Sequence, residues 1–287
     1  VPLNRHPIVA HAAQYGVPII GDTELFAEAR AELPPHQLVG ITGTNGKSTV
    51  TALIHHILQS AGFPTLMGGN IGLPIMARDA LQPNGRGDGI YVLELSSYQI
   101  DLSQTLACDV AVLTNITPDH LDRYDGFAGY AASKARLFGM MLAGSRAVIG
   151  VDDEASRTVA KGIDASKTAV LGVSALDVDP VDQRRWPALQ GPHNAQNAAC
   201  AIAVCHALGL FDHEIEQGLA SYAALPHRME WVADHDGVRY FNDSKATNAA
   251  STAPALAAFP PVDGQPRIHW IAGGKPKGDG LIACRPA

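Results

Sequence analysis

The stretch Leu38-Val39-Gly40-Ile41-Thr42-Gly43-Thr44-Asn45-Gly46-Lys47-Ser48-Thr49 decides the fold. An apolar, β-branched run leads into a glycine-bracketed loop, and Lys-Ser-Thr opens whatever follows. Downstream, Val50, Leu53, Ile54, Ile57 and Leu58 recur at the spacing of one helical face, and Gly62 with Pro64 stops the run. Strand, glycine loop and helix in that order predict a nucleotide phosphate cradle. Glycines let consecutive backbone N–H groups converge on one point, and the helix N-terminus adds positive potential. Lys47 brings a mobile charge, and the Ser48 hydroxyl can ligate Mg²⁺. The strict phosphate-loop pattern wants a glycine where Ile41 stands, so the shorter run from Gly43 to Thr49 carries the assignment.

Composition bounds the rest. The 287 residues are 46% hydrophobic and 17% charged, ordinary for a globular chain and enough for about two domains or three small ones. Net charge is −7, and the 21 lysines and arginines form no basic run, which argues against nucleic acid as a partner. Cys108, Cys200, Cys205 and Cys284 lack paired spacing and read as free buried thiols of a reducing compartment. No apolar run approaches the roughly 18 residues of a membrane span, and no charged-then-apolar leader opens the chain, so a cytoplasmic protein is expected. A start at Val1 and a stop at Ala287, just after a Gly-rich loop, suggest a segment of a longer protein.

Along the chain, residues 1–37 carry two helix-like stretches around a strand-like Val17–Ile20 and end at Pro34-Pro35. Residues 38–224 alternate strands with helices. The runs 90–95, 110–114, 147–151 and 169–173 are short and near-continuously apolar, as in a parallel sheet covered on both faces, and helices are predicted over 130–142 and 194–208. Residues 225–287 begin a new unit, with strands over 229–232, 238–241 and 267–272 and a helix from about Asn248. The expected fold class is α/β: a central, mainly parallel phosphate-loop sheet, the tail of an N-terminal α/β domain and the first part of a C-terminal one.

Ligands of open α/β sheets lie beyond the carboxyl ends of the strands. Glu94 ends one strand, followed by Ser96 and Ser97. Asn115, Asp119, His120 and Asp122 follow the next, and Asn242, Asp243, Ser244 and Lys245 follow a later one. A carboxylate such as Glu94 beside a phosphate loop suits a Mg²⁺ ligand, or else simply binds nearby N–H groups. Taken singly, His120 reads as a surface or satisfied core histidine, Lys134 as a solvated lysine and Arg228 most simply as a surface arginine, and Asp119 and Asp122 could be helix caps. Asn194 reads as a cap as readily as a ligand contact, and Asp243 with Lys245 as a local ion pair.

Together, however, these segments resemble the Mur ligase family of peptidoglycan precursor synthesis. The resemblance rests on Gly43–Thr49, Gly69-Asn70-Ile71-Gly72, Leu93–Ser97, Asn115–Tyr124, Gly191–Asn194, Leu225–Arg228 and Asn242–Asn248, in that order. The runs Glu94–Gln99, Thr117–Tyr124 and Asn242–Asn248 point to the branch that joins D-glutamate to UDP-N-acetylmuramoyl-L-alanine, and Gly21–Phe26 resembles the end of the uridine-binding domain. The resemblance implies an ATP-dependent amide ligase working through an acyl phosphate, with two Mg²⁺ ions, as a monomer. By the same carry-over, Gly43, Thr44, Asn45, Gly46, Lys47, Ser48 and Thr49 hold phosphate, and Ser48 and Glu94 hold one Mg²⁺. His120 and Lys134, the latter as a carbamate, hold the second. Asn194 and Asn197 face adenine, Arg228 and Lys245 the phosphates, Asp243 the ribose, Asn70 the muramoyl substrate, and Thr247 and Lys277 the D-glutamate carboxylates. Pro276 departs from the family pattern beside Lys277. The resemblance also implies that the chain lacks most of the first domain and the end of the third, and so would be incomplete for catalysis alone. Competing readings are a folylpolyglutamate synthase-like ligase, an inactive ligase fragment, and a GTPase-type switch. The last predicts an Asn-Lys-x-Asp run, and none occurs.

Overall fold

The computed structural model describes residues 6–121, 123–246, 249–274 and 284. At its centre is a six-stranded, all-parallel sheet in the order β2-β3-β1-β4-β5-β6. The strands are β1 (His36–Thr42), β2 (Thr65–Gly69), β3 (Gly89–Glu94), β4 (Val110–Leu113), β5 (Arg146–Gly150) and β6 (Ala169–Val173).

Residue alternation along the strands feeds two separate cores. Val39, Ile41, Val92, Val112 and Val148 face one side. There they meet α3 (Lys47–Ser60), α8 (Pro192–Ala207) and α9 (Asp212–Ser221). Leu38, Tyr91, Leu93, Leu113 and Ile149 face the other side and meet α2 (Asp22–Ala29) and α5 (Gly126–Gly139). With both faces covered, the central strands carry no polar alternation, which is why they read as continuous apolar runs. Val50, Leu53, Ile54, Ile57 and Leu58 of α3 are all fully buried, as their spacing predicts.

The remaining helices of the central unit are α4 (Ser97–Asp101), α6 (Glu154–Gly162) and α7 (Pro180–Gln183), and α1 (Pro7–Gln14) precedes α2. α1 buries no residue, whereas α2 is pinned to the central unit. The Glu24 carboxylate accepts from the Gln104 and Thr105 amides and from Thr105 Oγ1, and Phe26 enters the core. All four cysteines are free and buried.

After residue 225 come an antiparallel hairpin, β7 (Glu230–His235) and β8 (Val238–Asn242), and α10 (Ala249–Ala257). Two expected strands are absent. Val17–Ile20 and Arg267–Ala272 have suitable side chains but pair with no strand among the described residues, and a strand exists only as part of a ladder. Conversely, β2 went unread because Met67-Gly68-Gly69 has weak strand character; its pairing with β3 makes it a strand. Helices α5 and α8 begin four and two residues ahead of the expected positions, at Gly126 and Pro192.

Candidate active site

The sheet order reverses around β1, and the carboxyl ends of β1, β3 and β4 open into a cleft of about 460 Å³. Its floor is the loop before α3. Gly46 caps that helix in the left-handed region (φ 84°), without a side-chain cap. The Val50 amide is the first to bond back, to Gly46 O at 2.9 Å, so the amides of residues 47–49 point out of the helix end. Close packing dictates the glycines: a Cβ on Gly43 would overlap Thr114 Oγ1, and one on Gly46 would overlap Asn197 Oδ1.

The segment after β4 clamps this loop from the side. Asn115 O accepts from the Thr44 amide (2.8 Å), Asn115 Oδ1 from the Asn45 amide (2.9 Å), and Asn115 Nδ2 donates to Asn45 O (3.0 Å). Thr114 Oγ1 donates to the same Asn45 carbonyl at 2.6 Å. The Thr44 and Asn45 amides are thereby spent on shaping the loop, whereas those of residues 47–49 point outward.

Two lysines converge on one carbonyl. Lys47 Nζ donates to Gly43 O (3.0 Å) and Thr44 O (2.8 Å), and Lys134 Nζ donates to Gly43 O (2.8 Å) from the far side while lying 4.5 Å from the centre of the Tyr130 ring. Burial lowers the Lys47 pKa; Glu94 opposes the shift and Arg228 adds to it. Burial, reinforced by the neighbouring Lys47 charge, brings Lys134 down to about 7. Lys134 is therefore no solvated lysine: it is 1% exposed.

Glu94 is buried at the end of β3. Its Oε1 accepts from Asn70 Nδ2 (2.9 Å), whereas Oε2 has no partner among the described residues. A buried carboxylate oxygen left unsatisfied fits a hard cation. No group of three or more His, Cys, Asp or Glu side chains that could hold a metal is present among the described residues, so such a cation would complete its shell with phosphate and water oxygens. That donor set suits Mg²⁺.

Arg228 reaches across from the C-terminal unit, Nη2 donating to Ser48 Oγ at 3.1 Å. The Asp243 carboxylate accepts from the Met229 amide (3.0 Å), and burial raises its pKa. No Asp243–Lys245 ion pair forms among the described residues; the Lys245 backbone instead donates to His227 O. His120 sits in the left-handed region (φ 51°), half exposed, its ring 5.2 Å from that of Tyr98.

At the opposite wall, Gly191 (φ 86°) and not Asn194 is the cap residue of α8, which overturns the capping alternative. Asn194 lies one turn into the helix: its Nδ2 donates to Gln190 O and its Oδ1 accepts from Asn197 Nδ2, both at 3.1 Å. Asn194 thus orients Asn197 against Gly46.

The cleft brings together Thr44 to Thr49, Asn70, Glu94, His120, Asn194, Asn197, Arg228, Asp243 and Lys245. Gly43 and Lys134 stand behind the loop rather than on the cleft surface. Thr247, Lys277 and Asp122 lie outside the described residues. Sequence reasoning missed His193, Gln196 and Tyr222, which also line the cleft. Only the position of His193, between Gly191-Pro192 and Asn194, hinted at its place.

Residues 41–184, about half of the chain, match the Mur ligase middle domain. The chain belongs to the Mur ligase family. It is 67% identical over 286 residues to the UDP-N-acetylmuramoylalanine–D-glutamate ligase of Sphingopyxis alaskensis, covering 100% of this chain and 64% of that protein. It is 59% identical over 290 residues to the ligase of the same name from Novosphingobium aromaticivorans, with 100% and 62% covered. The Mur ligase fold is shared with MurF from Acinetobacter baumannii, at a TM-score of 0.66 and 20% identity, over 83% of this chain and 57% of that one. This Mur ligase chain therefore spans less than two thirds of the length of the relatives it matches.

Proposed function

We propose that this chain carries the ATP and metal half of an ATP-dependent amide ligase of peptidoglycan precursor synthesis, which joins D-glutamate to UDP-N-acetylmuramoyl-L-alanine. The observation that carries the reading is the unpartnered, buried Oε2 of Glu94, in the same cleft as the outward amides of α3: a place for a cation beside a place for phosphate. The identity to proteins named as D-glutamate ligases supports the choice of amino acid.

In this reading the amides of residues 47–49 and Lys47 hold the terminal phosphates. Ser48 and Glu94 would hold one Mg²⁺, and His120 and a carbamylated Lys134 the other. When bound, the ions neutralise charge between two anionic reactants. The alanyl carboxylate oxygen attacks the γ-phosphorus and ADP leaves; the amine of D-glutamate then attacks the acyl carbon and phosphate leaves. Lys134 suits carbamylation because only the free amine attacks CO₂, and burial makes the free amine abundant near pH 7. Its Nζ must first release Gly43 O. Asn194 and Asn197 take the adenine, Asp243 the ribose, Arg228 and Lys245 the phosphates and Asn70 the muramoyl substrate, with Thr247 and Lys277 assigned to the D-glutamate carboxylates. The corresponding division is 1–37 for the tail of the uridine-binding domain, 38–224 for the ATP domain and 225–287 for the start of the amino-acid domain. A cytoplasmic monomer completes the proposal; no helix among the described residues is long and apolar enough to cross a membrane.

The test uses the full-length protein. With ¹⁸O in the alanyl carboxylate, ATP-dependent amide formation should transfer label to the released phosphate. Unlabelled phosphate beside labelled amide would exclude the acyl-phosphate route, and absence of any D-glutamate product would exclude the assigned substrate.

A further inference from the structure

Four residues of the cleft lining carry a buried polar side-chain atom that lacks a partner among the described residues: Glu94 Oε2, His193 Nδ1, Gln196 Nε2 and Tyr222 OH. Glu94 stands at the phosphate end. His193 stands at the other, as the second residue of α8, and no residue assigned so far uses it. A buried nitrogen left without a bond costs about 1–3 kcal/mol unless something satisfies it. The cleft lining also includes the apolar side chains of Ala188, Leu225, Pro254 and Ala255. Apolar surface with a few convergent polar atoms suits a flat heteroaromatic ring.

The state of the imidazole follows from its surroundings. Burial pushes His193 down to about 4, so near pH 7 the ring is neutral, with one N–H and one lone pair. The positive potential at the start of α8 disfavours a second ring proton, and in the tautomer protonated on Nε2 the lone pair is on Nδ1. An acceptor in that place matches a ligand donor.

We propose that His193 is a specificity-determining residue of the cleft, its Nδ1 accepting a hydrogen bond from the exocyclic amine of a 6-aminopurine. The proposal rests on the reading of this cleft as an ATP site. A 6-oxopurine would set a carbonyl oxygen against the Nδ1 lone pair and leave both unpaired, the arrangement that gives hydrogen-bonding sites their strongest discrimination.

Calorimetric titration of the full-length protein with ADP and with inosine diphosphate, which differ on the purine edge, tests it. Wild type should prefer ADP by at least about tenfold, equivalent to ~1.4 kcal/mol. His193→Phe should bring the preference to about twofold or less, mainly by weakening ADP. His193→Asn, whose Oδ1 falls near the Nδ1 position, should keep most of the preference; His193→Gln, whose polar atoms reach past it, should lose it. The Asn and Gln pair decides the matter even if the Phe variant does not fold. Preference kept in both, lost in both, or an equal loss of both nucleotides would assign His193 to packing and overturn the proposal. A wild type that binds both nucleotides equally would sink the His193 role alone. A wild type that binds neither would overturn the ATP reading as well.

Discussion

Two helices begin at the same cleft, each from a glycine at positive φ, and they differ in what they can hold. Both α3 and α8 start at a glycine with φ near +85° (Gly46 at 84°, Gly191 at 86°) and neither has a side-chain cap. Helix dipole and loose amides alone would make both ends anion sites. Yet α3 continues with Lys-Ser-Thr, each with an N–H, beside the Glu94 carboxylate. α8 continues with Pro192, which has no N–H to offer, then a neutral buried imidazole and two carboxamides bonded to each other. In the proposed reading, side chains decide which helix end would be the phosphate site and which would receive an uncharged ring. Asn197 joins the two, its Oδ1 occupying the space that a side chain on Gly46 would need.

The largest effect should come from the charge at the phosphate end. In the full-length protein Lys47→Ala should cost at least about 10²-fold in turnover, about 2.7 kcal/mol of transition-state stabilisation. Near-normal turnover would erase the distinction between the two helix ends.

The glycines should separate the ends next. Ala at either position is forced to a positive φ, in the left-handed region at Gly46 (ψ −14°) and in the glycine-only extended region at Gly191 (ψ 162°), a strain of about 1–3 kcal/mol in each case. Gly46→Ala must in addition displace Asn197, whereas at Gly191 the nearest side-chain atom, Ala258 Cβ, stands at 3.0 Å. Overpacking against Asn197 adds about 1–3 kcal/mol, so Gly46→Ala should lower Tm clearly more in the native background than in an Asn197→Ala background, whereas the Gly191→Ala loss should be the same in both. Equal Tm losses for Gly46→Ala in the two backgrounds would mean that Asn197 is free to move and does not tie the two ends together.

How much of this was legible beforehand follows the same division. The phosphate end is a local device, with strand, loop, helix and charged residue within twelve positions, and all of it could be read in order. The clamp by Asn115 and the pairing of Lys47 with Lys134 at Gly43 O join residues 70 or more positions apart, or lie behind the loop, so neither has a sequence signature. Asn194 was ambiguous because a cap and a helix residue differ only in where Gly191 turns the chain. His193 had only its position as a hint, because the role proposed for it rests on an absent hydrogen bond, which only packing reveals. The expected strands at 17–20 and 267–272 failed for the complementary reason: β propensity describes a side chain, and a ladder needs a neighbour.

Acid should act on the base end through His193. Its folded-state pKa of about 4 lies below the ordinary 6.5, so between those values the unfolded chain binds the extra proton. The stabilising effect of the neutral ring is fully present above pH 6.5 and is lost as pH falls toward 4. Carboxylates titrate in the same window, so the comparison must be with a variant. Relative to its own stability at pH 7, His193→Asn should lose less than wild type by about pH 4, a difference on the order of 2–3 kcal/mol at one proton's worth per pH unit. Parallel pH curves for the two proteins would place the imidazole in contact with water.

The smallest effect should come from the unit after residue 225, which touches the two ends unequally. At the base end its contact is apolar, Ala258 against Gly191. At the phosphate end it is polar and directional, Arg228 Nη2 on Ser48 Oγ at 3.1 Å, with the Arg228 charge also felt by Lys47. Under the proposed function, a guanidinium in that place would strengthen the hold on phosphate without entering the bond changes. Arg228→Ala should therefore raise the KM for ATP about tenfold, or ~1.4 kcal/mol, while kcat stays within about twofold. The change should be the same for ATP and inosine triphosphate, because the residue belongs to the phosphate end and is blind to the base. A kcat loss as large as that of Lys47→Ala would move Arg228 into the transition state, and a change in base preference would mean that the two helix ends are coupled through the C-terminal unit as well as through Asn197.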